Sequence, residues 1–297
     1  MLTDTRIVVT GAGGALGRLV CQALLSAGHK GVVAGSRMPA KLGHLAAAGA
    51  IPVLADFDQP FTLEAAFAGA SQALIISTDA LTVPGHRLVQ HAAALAAALR
   101  QQVGHLVYTS MPDPARSVAI PFAADHAAME EGLRHSGRPW TSLRNSWYQE
   151  NLLAYLPQIV RDGTWFTAAG AGRIAFVARE DAAAAAAAVL ATHQDRGVMD
   201  VAGPQALTID DIAAVVAHIL GRSLRVVHTT PDVVQREMLR QGVDPVIVGM
   251  VSMTEANQRA GHFDVSGVEL NTLLGRAPRP LESFVKAHQR DLLAPGV

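Results

Sequence analysis

The chain has 297 residues, half of them hydrophobic and 16% charged, with a net charge of −1. That length suffices for one large α/β domain or for a domain with a smaller lobe. The balanced charge and the absence of a basic tract exclude nucleic acid as an expected partner. Alanine-rich runs such as residues 182–190 are much shorter than the ~20 apolar residues that span a bilayer, so no membrane partner is expected.

Cys21 is the single cysteine, so no internal disulfide can form and a reducing compartment is expected. It lies on the first predicted helix and is interpreted as a packing residue. The N-terminal residues enter the first predicted strand almost at once and leave no room for a signal peptide. We therefore expect a cytoplasmic protein, either a monomer or a homodimer. The 12 histidines are scattered without metal-ligand spacing, and no metal site is predicted.

A glycine-rich stretch follows the first predicted strand, residues 7–9, and leads into a helix. In this context glycines turn the chain sharply, let the backbone approach a pyrophosphate and let the helix pack against the sheet. The helix N-terminus adds free N–H groups and a partial positive charge. A dinucleotide-binding turn is therefore predicted. Its residues are Gly11, Gly13, Gly14, Ala15, Leu16 and Gly17.

Strands then alternate with helices up to about residue 150. The further strands are predicted at residues 31–37, 51–56, 73–77, 105–110 and 140–144. This rhythm predicts an α/β fold with a doubly wound, Rossmann-type parallel sheet in strand order 3-2-1-4-5-6. The dinucleotide-binding domain is expected to cover residues 1–150.

Beyond Asn145 the rhythm changes. A helix is predicted at residues 147–161 and short strands at 165–167 and 173–176. A capping-box-like start at 208–211, with Asp in place of the usual Glu or Gln, predicts another helix. Residues 151–297 are expected to form a smaller α/β lobe that is interleaved with the last sheet strands.

The end of the second strand selects the cofactor in such folds, because an acid there binds the ribose of NAD and a base binds the 2′-phosphate of NADP. This chain has Arg37 there and Lys41 one helical turn later, with no Asp or Glu in residues 31–54. NADP(H) is therefore predicted. Further cofactor contacts are expected where the third, fourth and fifth strands end. These residues are Asp56, Phe57, Ser77, Thr78 and Ser110. For Asp56 and Phe57, at the end of the third strand, an ordinary loop acid and a core Phe are equally good interpretations.

Several segments together resemble the NmrA-like atypical short-chain dehydrogenases, and within them the type 2 quinone oxidoreductases and triphenylmethane reductases. The most specific is Leu-Arg-Asn-Ser-Trp-Tyr-Gln-Glu-Asn at residues 143–151. The resemblance implies flavin-free hydride transfer from NADPH to a quinone or similar flat aromatic electrophile. It also places the Asn-x-Trp-Tyr segment near the nicotinamide and the substrate. The other segments lie at residues 10–17, 36–41, 55–60, 106–110 and 125–130.

The Tyr-x-x-x-Lys pair of ordinary short-chain dehydrogenases is missing. None of the lysines, Lys30, Lys41 and Lys286, has a tyrosine four residues earlier. Reduction of a simple ketone needs a proton for the developing alkoxide. A quinone gives a weakly basic phenolate and a cationic dye needs no proton, so such acceptors can react through orientation and exclusion of water.

The remaining candidates surround the expected nicotinamide site. Tyr148 is the best candidate for a proton donor or a substrate hydrogen bond, and Asn145 orients the nicotinamide or a substrate oxygen unless it caps the next helix. Trp147 and Tyr148 line an apolar cleft or pack the lobe. His126 is a second possible proton donor or a half-buried helix residue, and Met111 is expected to border the substrate.

Two other classes of function stay open. A protein that binds NADP(H) without catalysis and regulates a partner, as some NmrA-like proteins do, would show the same cofactor residues. A reductase or epimerase of another small metabolite would also share the fold.

Overall fold

The structure, a computed structural model, describes residues 5–193 and 195–294. The chain divides into two units, each assembled from three stretches. Unit 1 comprises Met1–Pro114, Phe122–Arg144 and Glu180–Met199. Unit 2 comprises Ala115–Pro121, Asn145–Arg179 and Asp200–Val297. A single domain boundary near residue 150 stays a prediction from the sequence.

The middle of the central sheet is built on short, buried strands, as parallel sheets covered on both faces require. Its strand order is 3-2-1-4-5-6-8, so the predicted order 3-2-1-4-5-6 is confirmed and a seventh strand is added. The pairing is parallel, and Val8 lies opposite Val33 on one neighbour and Ala73 on the other. The strands are β1 (Ile7–Val9), β2 (Val32–Ser36), β3 (Ile51–Leu54), β4 (Gln72–Ile75), β5 (His105–Ser110), β6 (Trp140–Asn145), β7 (Thr164–Thr167), β8 (Gly197–Val201) and β9 (Arg225–His228).

Helices follow the strands of the central sheet. No helix of the described residues has the length and apolar character to cross a membrane. Short 3₁₀ helices cover Pro39–Leu42 and Gln149–Ala154. The α-helices are α1 (Ala15–Ser26), α2 (Gly43–Ala47), α3 (Pro60–Phe67), α4 (His86–Arg100), α5 (Ala123–Arg134), α6 (Leu156–Asp162), α7 (Arg179–Thr192), α8 (Ile209–Leu220), α9 (Pro231–Arg240), α10 (Pro245–Arg259), α11 (Val268–Leu274), α12 (Leu281–Ala287) and α13 (Gln289–Leu293).

The core of unit 1 fills the space between the sheet and its helices. Val8, Leu63, Phe67 and Leu106 are fully buried in it. Cys21 is also buried, on α1, and burial raises the pKa of its thiol to about 12. The thiol therefore stays protonated near neutral pH, which confirms its interpretation as a packing residue.

Unit 2 departs from two sequence predictions. The helix predicted at residues 147–161 is wrong as one element, because a 3₁₀ helix and α6 meet at Tyr155, whose φ of −142° is not helical. Pro157 explains the break, since proline lacks an N–H and its ring clashes with the carbonyl four residues earlier in a continuous helix. The strand predicted at 173–176 is also wrong, because that segment makes only a single bridge, between Ile174 and Leu207.

Other local predictions for unit 2 are confirmed. The predicted strand at residues 165–167 is β7, which pairs in parallel with β9. Thr208 and Asp211 form a reciprocal capping box at the start of α8. The Asp211 N–H donates to Thr208 Oγ1 at 3.1 Å, and the Thr208 N–H donates to Asp211 Oδ2 at 3.0 Å. A side chain shorter than the usual Glu therefore satisfies both orphan N–H groups.

Gly17→Ala is expected to lower the free energy of unfolding by about 1–3 kcal/mol, the usual cost of overpacking. The added methyl group would lie 2.3 Å from the Gly11 carbonyl oxygen, so α1 must move away from the turn. Urea denaturation followed by circular dichroism measures the effect. Gly43→Ala is the matched control, because Gly43 has helical dihedrals and no atom within 4 Å of the added methyl. Equal midpoints for both variants would contradict the close approach.

Candidate active site

The glycine turn begins directly after β1. Gly11 has a φ of +63°, in the left-handed region that favours glycine, and the N–H of Gly14 donates to its carbonyl at 2.9 Å. Gly11, Gly13, Gly14 and Ala15 are exposed, whereas Leu16 and Gly17 are buried. The exposed part of the turn therefore presents glycine backbone and one methyl group, and its buried part packs α1 closely.

The start of α1 can receive an anion. Gly14 occupies its N-cap position, carries no capping side chain, and the first turn of the helix has no acidic residue. The first N–H groups of a helix lack intrahelical partners, and the helix dipole adds a partial positive charge there. A 12-residue helix preceded by an exposed glycine turn has the form of a pyrophosphate site.

The end of β2 carries two exposed basic side chains, Arg37 and Lys41. Ser36 before them is buried, and its Oγ accepts the N–H of Met38 at 3.1 Å, which fixes the turn out of the strand. The pKa of the Asp58 carboxyl is lowered by hydrogen bonds from Gln90 and His86 and, to a smaller extent, by the charge of Arg37. Arg37 and Lys41 therefore give the end of β2 a positive charge that can attract an anionic group.

The residues after β3 form a polar turn above a core aromatic ring. Asp56 accepts hydrogen bonds from the Asp58 N–H at 3.1 Å and from Gln59 Nε2 at 2.9 Å. Phe57 is only 8% exposed and belongs to the core of unit 1. Their contact with an adenine stays a prediction, and Phe57 packs in the core as the alternative interpretation foresaw.

The sequence did not predict the hydrogen bonds that join this turn to α4. Asp58 Oδ1 lies 2.6 Å from His86 Nε2 and accepts a hydrogen bond from Gln90 Nε2 at 2.9 Å. No local pattern indicates this pair, because 28 residues separate Asp58 from His86. The start of α4 is therefore tied to the turn that follows β3.

The chain leaving β4 is held by side chains instead of by a neighbouring strand. The N–H groups of Ile76, Ser77 and Thr78 donate in turn to Thr10 Oγ1 at 2.9 Å, to Thr109 Oγ1 at 2.9 Å and to His91 Nε2 at 3.1 Å. The three acceptors come from three different segments of unit 1. The predicted contact residues Ser77 and Thr78 therefore stand on a fixed backbone.

Two hydroxyl groups near these strand ends have no hydrogen-bond partner among the described residues. Thr78 Oγ1 and Ser110 Oγ are both buried and unsatisfied. An unpaired buried polar group costs free energy, so such atoms point to a missing partner. Met111, predicted to border the substrate, is 6% exposed and directly follows Ser110. Together with the exposed glycine turn, these atoms fit a dinucleotide along the carboxyl edge of the sheet.

His126 is buried, and both of its ring nitrogens are engaged. Nδ1 lies 2.8 Å from Tyr108 Oη, and Nε2 lies 2.9 Å from Arg87 Nη2. Burial, together with the charge of Arg87, holds the pKa of His126 well below its usual range. This geometry argues against the predicted proton transfer from His126 to a substrate, because neither nitrogen is exposed.

Glu130 on α5 fixes the end of β6. Its Oε1 accepts hydrogen bonds from Ser142 Oγ and Arg144 Nε, both at 2.9 Å, and its Oε2 accepts one from Arg144 Nη2 at 2.6 Å. Such a two-point carboxylate–guanidinium pair is strong and directional. This pair therefore holds Arg144, the residue directly before Asn145, against α5.

In unit 2, Asn145 and Tyr148 are joined by a hydrogen bond. Asn145 Nδ2 donates to Tyr148 Oη at 3.0 Å, while Asn145 Oδ1 is buried and has no partner among the described residues. Asn145 is therefore not a helix cap, and its amide presents an acceptor that is left for a ligand. The N–H of Ser146 donates to the Val201 carbonyl at 2.9 Å and anchors the segment.

The Tyr148 phenol is protonated near neutral pH. Burial raises its pKa to about 12, while the hydrogen bond from Asn145 and the charge of Arg179 act in the opposite direction. The Arg179 guanidinium lies over the Tyr148 ring at 4.9 Å from the centroid. The Glu150 carboxylate accepts the backbone N–H of Arg179 at 3.0 Å and so helps to hold this residue.

A cleft with aromatic walls lies within unit 2. Its single carboxylate is Glu255, which accepts hydrogen bonds from Thr167 Oγ1 at 2.7 Å and from the Ala168 N–H at 2.8 Å. Burial raises the pKa of Glu255. Trp147 lines the cleft and also contacts Phe263, with ring centroids 5.8 Å apart. The other lining residues are Tyr155, Trp165, Ile174, Phe176, Ile209, Ile212, Met250, Val251, Thr254 and Gln258.

The model of a family described as NAD(P)H-binding matches residues 11–193. Quinone oxidoreductase 2 of Escherichia coli is 32% identical over 282 residues, which are 94% of this chain and 97% of that protein. The structure of the NADPH-dependent quinone oxidoreductase of Escherichia coli, complexed with NADPH, is similar with a TM-score of 0.87 and 31% identity, over 95% of this chain and 99% of that one. Triphenylmethane reductase of Citrobacter sp. is similar with a TM-score of 0.88 and 29% identity, over 96% and 99% of the two chains.

Proposed function

This chain belongs to the NAD(P)H-binding family, and we propose that it is an NADP(H)-dependent reductase that transfers hydride to a quinone or a similar flat aromatic electrophile without flavin. The observation that carries the proposal is the Asn145–Tyr148 hydrogen bond, next in sequence to Trp147 and its aromatic cleft. The similarity to a quinone oxidoreductase and a triphenylmethane reductase over nearly the whole chain supports a flat aromatic acceptor.

The chain's own residues hold the cofactor, which supplies the hydride when it is bound. The glycine turn and the N-terminus of α1 bind the pyrophosphate through backbone N–H groups. Arg37 and Lys41 bind the 2′-phosphate, and no carboxylate in residues 31–54 opposes it. The unsatisfied hydroxyls of Thr78 and Ser110 bind the remaining polar groups of the cofactor.

Tyr148 gives the proton that completes quinone reduction. Reduction of a quinone to a hydroquinone requires one proton and one hydride, and bound NADPH would supply the hydride. Because Asn145 donates to Tyr148 Oη, the phenolic O–H is left to donate to the acceptor. Arg179 over the ring stabilises the phenolate that forms. Asn145 Oδ1, which is unsatisfied, orients the nicotinamide or the acceptor.

Tyr108 cannot replace the missing tyrosine of the Tyr-x-x-x-Lys pair. It is fully buried, and residue 112, four positions later, is a proline instead of a lysine. The usual proton donor for ketone reduction is thus absent at this place in the sheet. We infer that simple ketones are poor substrates and that acceptors with a stabilised reduced form are preferred. The aromatic and apolar side chains of the cleft that Trp147 lines favour flat, apolar molecules.

The reductase proposal is tested by mixing the protein with NADPH and a panel of quinones, azo dyes, cationic triphenylmethane dyes and simple ketones. Absorbance at the nicotinamide band is expected to fall faster than in an enzyme-free control with at least one aromatic acceptor and not with the ketones. Tight NADPH binding without turnover on any acceptor would contradict the proposal and favour a regulatory protein that binds NADP(H).

Arg37→Ala is expected to weaken NADPH binding about tenfold to a hundredfold, the value of a charge-assisted contact to a phosphate. Binding of NADH, which lacks the 2′-phosphate, should hardly change. Fluorescence titration with both nucleotides measures the ratio. Arg134→Ala is the matched control, because Arg134 is an exposed arginine at the end of α5 that pairs with Glu131. An unchanged NADPH to NADH ratio in Arg37→Ala would remove Arg37 from the site.

Tyr148→Phe is expected to reduce kcat with a quinone about a hundredfold or more, as loss of a general acid does. Turnover of a cationic triphenylmethane dye should stay near that of the parent, because hydride addition to the cationic carbon needs no proton. Steady-state kinetics with both acceptors in saturating NADPH separate the two effects. Equal losses with both acceptors would assign Tyr148 to packing or orientation, and an unchanged quinone rate would remove it as a proton donor.

A further inference from the structure

Both polar groups of the Thr78 backbone are bound by buried side chains. Its N–H donates to His91 Nε2 at 3.1 Å, and its carbonyl accepts a hydrogen bond from Arg87 Nε at 2.7 Å. Both side chains come from α4, nine and thirteen residues further along the chain. The backbone of Thr78, whose Oγ1 is unsatisfied, is therefore held by hydrogen bonds at both its N–H and its carbonyl.

These two side chains are joined to each other through Tyr108 and His126. Tyr108 Oη lies 2.8 Å from His126 Nδ1 and 3.3 Å from His91 Nδ1, and His126 Nε2 lies 2.9 Å from Arg87 Nη2. A closed ring of contacts results, which runs from the Thr78 N–H through His91, Tyr108, His126 and Arg87 to the Thr78 carbonyl. We call these four side chains the Tyr108 cluster.

We propose that the Tyr108 cluster is a set of positioning residues that holds Thr78 in the conformation in which it binds the nicotinamide cofactor. Since this rests on the proposed contact of Thr78 with the cofactor, the two claims need separate tests. The cluster touches neither the acceptor nor the reacting atoms in this proposal. It sets the affinity for NADPH through the backbone on which Thr78 Oγ1 stands.

The hydrogen-bond donors fix the tautomer of each histidine. A backbone N–H can only donate, so His91 Nε2 is an acceptor and its proton is on Nδ1. A guanidinium can only donate as well, so His126 Nε2 is an acceptor and its proton is also on Nδ1. Both Nδ1–H groups therefore donate to Tyr108 Oη. The phenolic oxygen is the common acceptor that fixes the orientation of both imidazoles.

The cluster also satisfies a buried cation. Arg87 is only 4% exposed, and it donates to Thr78, to the Phe122 carbonyl at 3.2 Å and to His126. Its nearest carboxylate, Asp125, lies 3.7 Å away. Burial and the charge of Arg87 lower the pKa of His91 to about 3, so the ring stays neutral at ordinary pH. Placing a guanidinium in the core costs free energy. The hydrogen bond from Arg87 Nε to the Thr78 carbonyl is one of the contacts that offset this cost.

A control region on the same strand distinguishes positioning from packing. His105 lies at the other end of β5, is 2% exposed, and contacts Gln72 and Thr141 through its two ring nitrogens. It is a buried histidine in the same sheet, equally hydrogen-bonded, and has no contact with Thr78. Loss of His105 should thus affect stability alone.

The test compares NADPH affinity, kcat in saturating NADPH and thermal stability among the variants. Tyr108→Phe, which keeps the ring, is expected to raise the Kd for NADPH about threefold to tenfold, the value of one hydrogen bond. His91→Leu should raise it at least as much, whereas His91→Gln, whose side-chain oxygen can take the place of Nε2, should restore most of the affinity. His105→Leu should lower the melting temperature and leave the Kd unchanged. In every variant kcat at saturating NADPH is expected to be close to that of the parent.

The outcomes are separable. If Thr78→Val leaves the Kd for NADPH unchanged, the contact of Thr78 with the cofactor is wrong, and the proposed cofactor site fails at this residue. If Thr78→Val weakens binding but Tyr108→Phe does not, the positioning proposal is overturned. It is also overturned if His105→Leu weakens NADPH binding as much as His91→Leu, because packing alone then accounts for the effect. Tyr108→Phe decides the question should His91→Leu fail to fold.

Discussion

The N–H groups just beyond a sheet strand lose their partner strand, and the structure depends on how those groups are satisfied. At the end of β4, three successive N–H groups donate to three side chains from different parts of unit 1. Each bond replaces one that a neighbouring strand or water would make, so the backbone stays ordered after the strand has ended. Because the carboxyl edge of a parallel sheet is where ligands bind, this order is placed where it can serve binding. The same edge carries the glycine turn and the end of β2.

Two kinds of buried polar group meet at this edge. The first kind is fully satisfied, as in the Tyr108 cluster and in the pair between Glu130 and Arg144. The second kind is unsatisfied, as at Thr78 Oγ1 and Ser110 Oγ. A satisfied network makes one arrangement rigid, whereas an unsatisfied group costs free energy until a partner arrives. We infer that the satisfied hydrogen-bond networks hold the unsatisfied groups in the positions in which a ligand can bind them.

The sequence predicts what depends on local pattern. Apolar runs bounded by turn residues indicate the strands, and a glycine turn between a strand and a helix indicates a dinucleotide, so strand order 3-2-1-4-5-6 follows from the alternation. The contacts that arise only on folding are missed. Asp58 meets His86 across 28 residues and Arg87 meets His126 across 39, and no spacing rule brings them together. For the same reason His126 is predicted as an accessible donor, although its partners occupy both nitrogens. The prediction of a single helix over residues 147–161 is wrong for a different reason, because it ignores Pro157, whose presence in the sequence already indicates a helix break.

The absence of the Tyr-x-x-x-Lys pair changes what the protein must supply. A lysine beside a tyrosine lowers the pKa of the phenol, which suits reduction of a ketone to a basic alkoxide. Here burial raises the pKa of Tyr148 to about 12, and only Asn145 and Arg179 oppose that effect. The proposed proton transfer from Tyr148 therefore depends on Arg179, whose guanidinium lies over the ring and stabilises the phenolate that the transfer leaves. In the proposed reaction the acceptor must tolerate the negative charge that hydride addition creates, and a quinone delocalises this charge whereas a simple ketone does not. A cationic dye would not develop that charge, so the proposed activity extends to cationic dyes as well as quinones despite their different shapes.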